Sequence, residues 1–408
     1  MPWYLPPDTV EARNTRNLYA ETMWFGVLSG LAKTYVAVFA LRLGATNGQI
    51  GWLTALPALI TIFWMVPAAR LIERQRRPMP IIVVTGVLQR LPYLAMAVAP
   101  WVLRAGMVEA LIVLNTVAAL PAAVINTAIT ALIPELAAPE QRGQVISVRW
   151  LLLATAEMLA ALVAGQLLGL IAVPLNYQVV IGAGAALSLL SIRYLVRLRV
   201  PDTALARAPQ PEGRTEKHTL RQRLAGVLVQ RRFTRFAAAS FVFYWGLYLP
   251  AALWSIIRVR DLDASDAWIG AIAMIVGVST IAGYFVWGKM AARRGNRWLL
   301  NVSTLGVGVY ALLTAAVPSI EWMVPTSILG GFTWAGCNLA LFNTLLTVCP
   351  ADRRPTYIAV YTALINVTAF LGPLLGTALA DGIGIRPAFL LSGGVRLLGL
   401  VLFWRLLR

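Results

Sequence analysis

The stretch GKMAARRGNR, Gly288 to Arg297, sets four cations between two long apolar runs, and ARLIERQRRP, Ala69 to Pro78, reads as a degraded copy of it. The two begin 219 residues apart (288 − 69), which is about half of the 408-residue chain. The same shift lays LGATNGQIG (Leu43 to Gly51) over LDASDAWIG (Leu262 to Gly270), keeping Leu, Ala, Ile and Gly and exchanging Thr for Ser and Asn for Asp. Further along each half the best shift becomes 212, which pairs Asn126 with Asn338, Arg142 with Arg354 and Ile146 with Ile358. A repeat that occupies half of a chain describes two copies of one bundle, related by an axis along the membrane normal if the runs between the motifs cross a bilayer.

Composition says that they do. Hydrophobic residues make up 59% of the chain and charged residues 13%, against roughly 25% charged in soluble domains, and the mean hydropathy is +0.72. A hydrocarbon core of about 30 Å needs roughly 20 apolar residues per helix. The runs are continuous rather than alternating, so helices and not a barrel are expected. Twelve spans result: 16–40, 48–69, 79–100, 106–133, 144–172 and 176–197 in the first half, then 234–257, 267–290, 298–317, 321–349, 355–380 and 386–406 in the second. The expected architecture is an all-α membrane protein of twelve transmembrane helices in two pseudo-symmetric six-helix bundles, 1–199 and 233–408. The polar, basic, Pro-containing stretch 200–232 between them reads as a cytoplasmic linker.

The cations give the orientation. With the N-terminus inside, 26 of the 35 Lys and Arg fall on cytoplasmic segments, and only Arg42, Arg104, Arg258, Arg260 and Arg386 fall on outer ones. Both termini are therefore expected to be cytoplasmic. The net charge of +18 is accounted for by topology and anionic headgroups, with no element for reading nucleic acid. MPWYLPPDTVEARNTR lacks the basic start, short apolar core and cleavage site of a signal peptide, so the first span is expected to stay in a multi-pass protein of the bacterial plasma membrane. Cys337 and Cys349, both on the tenth span, lie about 18 Å apart along a helix and cannot bridge there. The lone His218 falls in the linker.

GKMAARRGNR resembles the loop motif of the major facilitator superfamily (MFS), which follows the second helix of each half with the pattern Gly-x-x-x-Asp-Arg/Lys-x-Gly-Arg-Arg/Lys. Gly288, Arg293, Gly295 and Arg297 match, while Ala292 replaces the acid. In the first half Glu73, Arg74 and Arg77 match in kind, but Ala69 and Arg76 stand where the family prefers Gly. The resemblance implies that Glu73 and its basic neighbours form a gating loop, bridging the halves at the cytoplasmic face in the outward-open state. The start of the eleventh span, with Pro355 in its first turn, offers a partially positive helix end that a carboxylate complements by roughly 0.3 to 1 kcal/mol. It also implies that spans 1, 4, 7 and 10 line a central path, that 2, 5, 8 and 11 rock beside it, and that 3, 6, 9 and 12 stay peripheral.

Charges at membrane depth are functional candidates. Lys33, Arg90, Glu157 and Arg396 lie well inside spans 1, 3, 5 and 12. Arg90 and Arg396 sit on spans that the resemblance makes peripheral, which gives them structural roles. Lys33 is read as substrate-binding, and the excess of cations over carboxylate favours a solute with an anionic group. Glu157 is read as the proton-coupling residue, because a charged acid at a helix centre costs about 3 kcal/mol; the alternative is a permanent Glu157–Lys33 bond holding spans 1 and 5 together. Glu21 and Arg149, nearer the cytoplasm, are expected to form an ion pair. Polar and aromatic faces complete the expected lining: Tyr244 and Tyr248 on span 7, Trp334 and Asn338 on span 10, Asn126 on span 4.

No HExxH, Cys/His cluster, Gly-x-Ser-x-Gly or intramembrane carboxylate pair occurs, which argues against an enzyme, a metal and a cofactor. No phosphate-binding loop for ATP occurs either, so a gradient must supply energy. The reading is a monomeric, proton-coupled secondary transporter of a small organic solute, a small-molecule substrate moved by alternating access through the lipid bilayer. The alternatives are a drug/proton efflux antiporter, a non-transporting sensor of the same architecture, or an intramembrane enzyme. Exporters of the family often carry Gly-x-x-x-Gly-Pro in span 5; here that span reads AEMLAALVAG, and the similar FLGPLLGTALAD, Phe370 to Asp381, lies in span 11.

Overall fold

The computed structural model describes residues 9–73, 78–103, 105–136, 142–199, 230–350 and 354–406. Among these residues there is no strand, and the helices form twelve membrane-length segments. The first six are α1 (Val10–Arg42), α2 (Asn47–Glu73), α3 (Pro78–Val102), α4 (Met107–Leu136), α5 (Arg142–Leu168) and α6 (Leu175–Val196). The second six are α7 (Arg231–Asp261), α8 (Asp266–Arg294), α9 (Asn296–Ala316), α10 (Met323–Val348), α11 (Arg354–Ile383) and α12 (Ile385–Leu406). Ten of the described segments are long and apolar enough to cross a membrane by length and composition alone. The other two, α2 with 27 residues and α10 with 26, are each about 40 Å long at 1.5 Å per residue. In α10, Asn338, Asn343 and the Gly330-Gly331 pair dilute the apolar run.

The chain forms two compact units, residues 1–45 with 60–213 and residues 46–59 with 214–408. The first part of α2 thus packs as part of the second unit, although the repeat places it in the first. Gly51 abuts Thr377 of α11, and Trp52 meets the Phe370 ring at 6.5 Å. In the first unit α1 packs on α5 and α6, and α3 packs on α4 and α6; in the second, α7 packs on α11 and α12, α8 on α10, and α9 on α10 and α12. The second unit's core is aromatic. Phe236 stacks on Tyr361 at 5.4 Å, and Phe233 meets Tyr357 edge-on at 4.8 Å.

Three helices are interrupted among the described residues: α6 at Leu189, and α1 and α7 at matching places, with a second π-turn, Ile257–Asp261, ending α7. In α1 the turn Ser29–Lys33 is a π-helix, closed by the Thr34 hydroxyl donating to the Ser29 carbonyl at 3.1 Å. In α7 the helix stops at Tyr248, turns through 249–252 and resumes at Leu253. Pro250 lacks the N–H an uninterrupted helix needs and crowds the preceding turn. Ser29 to Lys33 becomes Tyr248 to Ala252 under the 219-residue shift (248 − 29, 252 − 33). π-Turns inside α-helices gather at functional sites, and equivalent interruptions in two repeats mark where a transporter fold holds its cargo.

Close helix contacts support the breaks in α1 and α7. A Cβ on Gly30 would lie 2.3 Å from the Glu157 carbonyl of α5, and one on Gly376 of α11 would lie 1.8 Å from the Leu249 carbonyl of α7. Gly30 and Leu249, and likewise Glu157 and Gly376, are each 219 residues apart (249 − 30, 376 − 157). The same crossing therefore occurs in both units, with the small residue moved from one helix to the other.

Candidate functional site

Three of the loop-motif positions, Arg74, Arg77 and the neighbouring Arg76, lie outside the described residues; Glu73 ends α2. The second-half motif is fully described. Gly288 stands in open space on α8, and Arg293 lies in the last turn of that helix. Gly295 joins α8 to α9 at φ 83°, the left-handed backbone that requires Gly at this joint. Arg297 donates to the Trp404 carbonyl at 3.4 Å, at the C-terminal end of α12 where a cation complements the helix dipole. Arg294 lies over the Trp298 ring at 4.7 Å.

The first unit gathers its charges around α1. Glu21 is buried, and the Thr22 hydroxyl, which donates to the Leu18 carbonyl at 2.8 Å and accepts from Arg149 Nε at 3.0 Å, lies 3.2 Å from the Glu21 carboxylate. Arg149 and Arg90 are the cations that act on Glu21 through space. Thr22 thus stands between the two predicted partners. Lys33 ends the π-turn half-buried, with its ammonium 4.4 Å from the Phe25 ring centre. The Arg90 guanidinium lies 5.6 Å from the same ring, so Phe25 has two cations on it. Glu157, half-buried on α5, and Arg90 are the charges within electrostatic reach of Lys33. Lys33 rests on the aromatic face and not in contact with the Glu157 carboxylate. Asn126 is exposed on α4.

Arg90 and Arg396 act as ties between helices. Arg90 is fully buried and donates to the Ser188 carbonyl at 3.2 Å, the Gly86 carbonyl at 2.5 Å and the Ser191 hydroxyl at 2.6 Å, joining α3 to α6. Arg396 donates to the Gly246 carbonyl at 3.1 Å and the Val307 carbonyl at 3.0 Å, joining α12 to α7 and α9. Ser392 adds a bond to Gly246 at 2.7 Å. A guanidinium spreads one charge over five donors, which lets it satisfy several helices at once where an ammonium would not.

The second unit holds the aromatic candidates. Tyr244 and Tyr248 stack at 5.9 Å, with Tyr248 the last residue before the α7 break. Trp334 is half-buried, and the exposed Asn338 donates to the Tyr284 hydroxyl of α8 at 2.8 Å. Sequence reading did not single out Tyr284, and only the packing of α8 on α10 makes the pair. A polar cluster that sequence reading also missed lies at the far end of this unit. The Asn47 amide donates to Asp381 at 2.6 Å and accepts from Arg260 at 2.6 Å, and Arg386 pairs with Asp261 at 2.9 Å. The signal for it was present, since Asn47 and Asp266 sit at equivalent repeat positions and Asp381 closes the FLGPLLGTALAD run.

Three comparisons bear on this arrangement. The sequence profile of the Major Facilitator Superfamily matches residues 22–238 and 236–408. The chain is 31% identical over 176 residues to the Multidrug resistance protein MdtG of Serratia proteamaculans (strain 568), and 28% identical over 171 residues to that of Escherichia coli (strain 55989 / EAEC). These matches cover 40% and 38% of this chain; it spans 42% and 41% of the length of those relatives. The fold is similar to that of a bacterial homolog to the human lysosomal transporter Spinster, in its inward-facing and unoccupied conformation, with TM-score 0.74, 14% identity and coverage of 98% and 97%. It is also similar to that of the nucleoside transporter NupG, with TM-score 0.72, 13% identity and coverage of 98% and 99%. With twelve helices, a half-chain repeat, paired helix breaks and a profile match along nearly the whole sequence, the chain belongs to the Major Facilitator Superfamily.

Proposed function

We propose that the protein is a secondary active transporter, not an enzyme, which moves a small organic solute across the membrane by alternating access. The observation that carries this reading is the pair of helix interruptions, Ser29–Lys33 in α1 and 249–252 in α7, at equivalent points of the repeat. Departures from regular α-helix at membrane depth are tolerated where they line a cavity, and in transporter folds such places hold the cargo. Each break carries chemistry for an organic solute: Lys33 on the first, with its charge available for an anionic group, and the Tyr244–Tyr248 stack leading to the second. Glu157, beside the first break, is the proton carrier in this scheme, and the protein works as a monomer with both termini in the cytoplasm of a bacterial cell.

A drug/proton antiporter is the second reading. Two observations favour it: the curated relatives are named for multidrug resistance, and the Tyr244, Tyr248 and Trp334 surfaces suit an amphipathic cargo. The test is purified protein in liposomes, offered organic anions, nucleosides and cationic dyes with and without an imposed pH gradient. Gradient-driven movement of one class above the empty-liposome level is expected. No flux of any class, in protein that binds a ligand, would make it a sensor.

The cluster around Asn47 and Asp381 is proposed as a latch at the outer end. Exposed pairs of this kind are worth up to about 1 kcal/mol, a factor of roughly five in a conformational equilibrium. Asp381→Ala is accordingly expected to raise labelling of a cysteine introduced at Gly48 from the outside severalfold. Labelling at the wild-type rate would leave the cluster as a surface contact without a gating role.

A further inference from the structure

The surface end of α1 and α6 holds a cavity of about 510 Å³ walled by four arginines: Arg13 and Arg16 from the first turns of α1, and Arg197 and Arg199 just beyond α6. At ~30 Å³ per water molecule this is room for on the order of a dozen or more waters. No carboxylate lines it among the described residues, and Glu11, one turn away, is exposed outside it. All four arginines are exposed, and the two beyond α6 are held in place through their backbone. Asn14, itself buried, clamps the backbone of Arg199 through both ends of its amide, donating to the carbonyl at 2.8 Å and accepting from the N–H at 2.9 Å. Asn17 donates to the Arg197 carbonyl at 3.4 Å, and Arg197 lies 5.9 Å from the Tyr194 ring. Val10 and Val196, both exposed, supply an apolar rim on the same cavity.

Neither topology nor transport uses this construction. A topological signal needs basic residues at the helix ends but no cavity, and no side-chain clamp to fix their backbone. Four arginines lining one space suit a phosphate group, whose oxygens accept paired hydrogen bonds from arginine. We infer that this cavity is a binding site for a phosphate-bearing ligand, with the headgroup of an anionic phospholipid as one source and a soluble phosphate compound as the other. The position at the membrane surface and the valine rim favour the lipid, since a headgroup brings glycerol and acyl carbons beside its phosphate. The inference requires only that the chain lies in a membrane and does not depend on what it transports.

The test uses the full-length protein in neutral detergent, with dioleoyl phosphatidylglycerol, dioleoyl phosphatidylcholine and inorganic pyrophosphate as separate probes, read by native mass spectrometry and by thermal melting. Phosphatidylglycerol is expected to bind and raise the melting temperature, and phosphatidylcholine is not. Arg13→Gln combined with Arg197→Gln is expected to weaken phosphatidylglycerol binding about tenfold or more. Asn17→Glu, which keeps all four arginines and puts a carboxylate among them, should weaken it as well and guards against a folding defect in the double variant. Pyrophosphate binding as strong as phosphatidylglycerol, lost in the same variants, would keep the phosphate chemistry and assign it to a soluble compound. Equal binding of phosphatidylglycerol to the wild type and both variants, or no binding by any probe, would overturn the assignment.

Discussion

Gly376→Ala is expected to cost about 3 kcal/mol or more of stability, although the exchange adds only one methyl group and, in an open helix, would stabilise by roughly 1 kcal/mol. The sign reverses because the new Cβ would stand 1.8 Å from the Leu249 carbonyl. That oxygen belongs to backbone held between the end of the first α7 helix and Pro250, so no side-chain rotation relieves the overlap. Overpacking within well-filled cores costs typically 1 to 3 kcal/mol when side chains can yield, and here the main chain must move. Gly394→Ala on α12 is the control, since its Cβ would enter open space. The measurement is the melting temperature of each purified variant in the same detergent. Gly394→Ala should melt with or slightly above the wild type and Gly376→Ala well below it. Equal melting of both would mean that α11 does not support the α7 break as described.

The larger functional effect is expected from Glu157→Gln. Its carbonyl lies under Gly30 at the α1 break, and its carboxylate is the anion that acts on Lys33. If the carboxylate carries the coupled proton, Gln keeps the shape but holds no exchangeable charge, so accumulation driven by a pH gradient falls to background while exchange of labelled for unlabelled substrate continues. Should Glu157 serve only to pair with Lys33, the variant would instead lose stability by leaving a lone cation at membrane depth, and replacing both residues by Met would restore it. Continued accumulation against a gradient by Glu157→Gln, at the wild-type level, would place the proton site elsewhere. The two outcomes are separable because melting and flux are measured on the same preparation.

The relation between these residues shows where sequence reading stops. Continuous apolar runs, their half-chain repeat and the distribution of Lys and Arg require nothing beyond the chain itself, since each span must satisfy its own backbone in lipid and is long enough to do so. The twelve helices and the family were therefore legible from residues alone. Gly295 was legible only as a match to the loop motif, and the structure adds its left-handed backbone at a helix joint. The structural reading of Arg90 and Arg396 followed from the span each occupies.

Contacts between spans were not legible, because neighbours in a bundle are chosen by shape across hundreds of residues and leave no local pattern. Nothing in the sequence of α1 says that Thr22 lies between Glu21 and Arg149, or that Phe25 lies under two cations. The repeat assigned the whole of the second span to the first half, whereas Asn47, Gly51 and Trp52 pack with α11. Pro250 announces a break in α7, but its partner Ser29–Lys33 contains no proline, and its π-turn forms where α1 passes closely over Glu157 at Gly30. The chain by itself determined which segments cross the membrane and which charges they carry there. Tertiary packing decided which of those charges meet, because only the crossing of helices brings residues more than a hundred positions apart to within hydrogen-bonding distance.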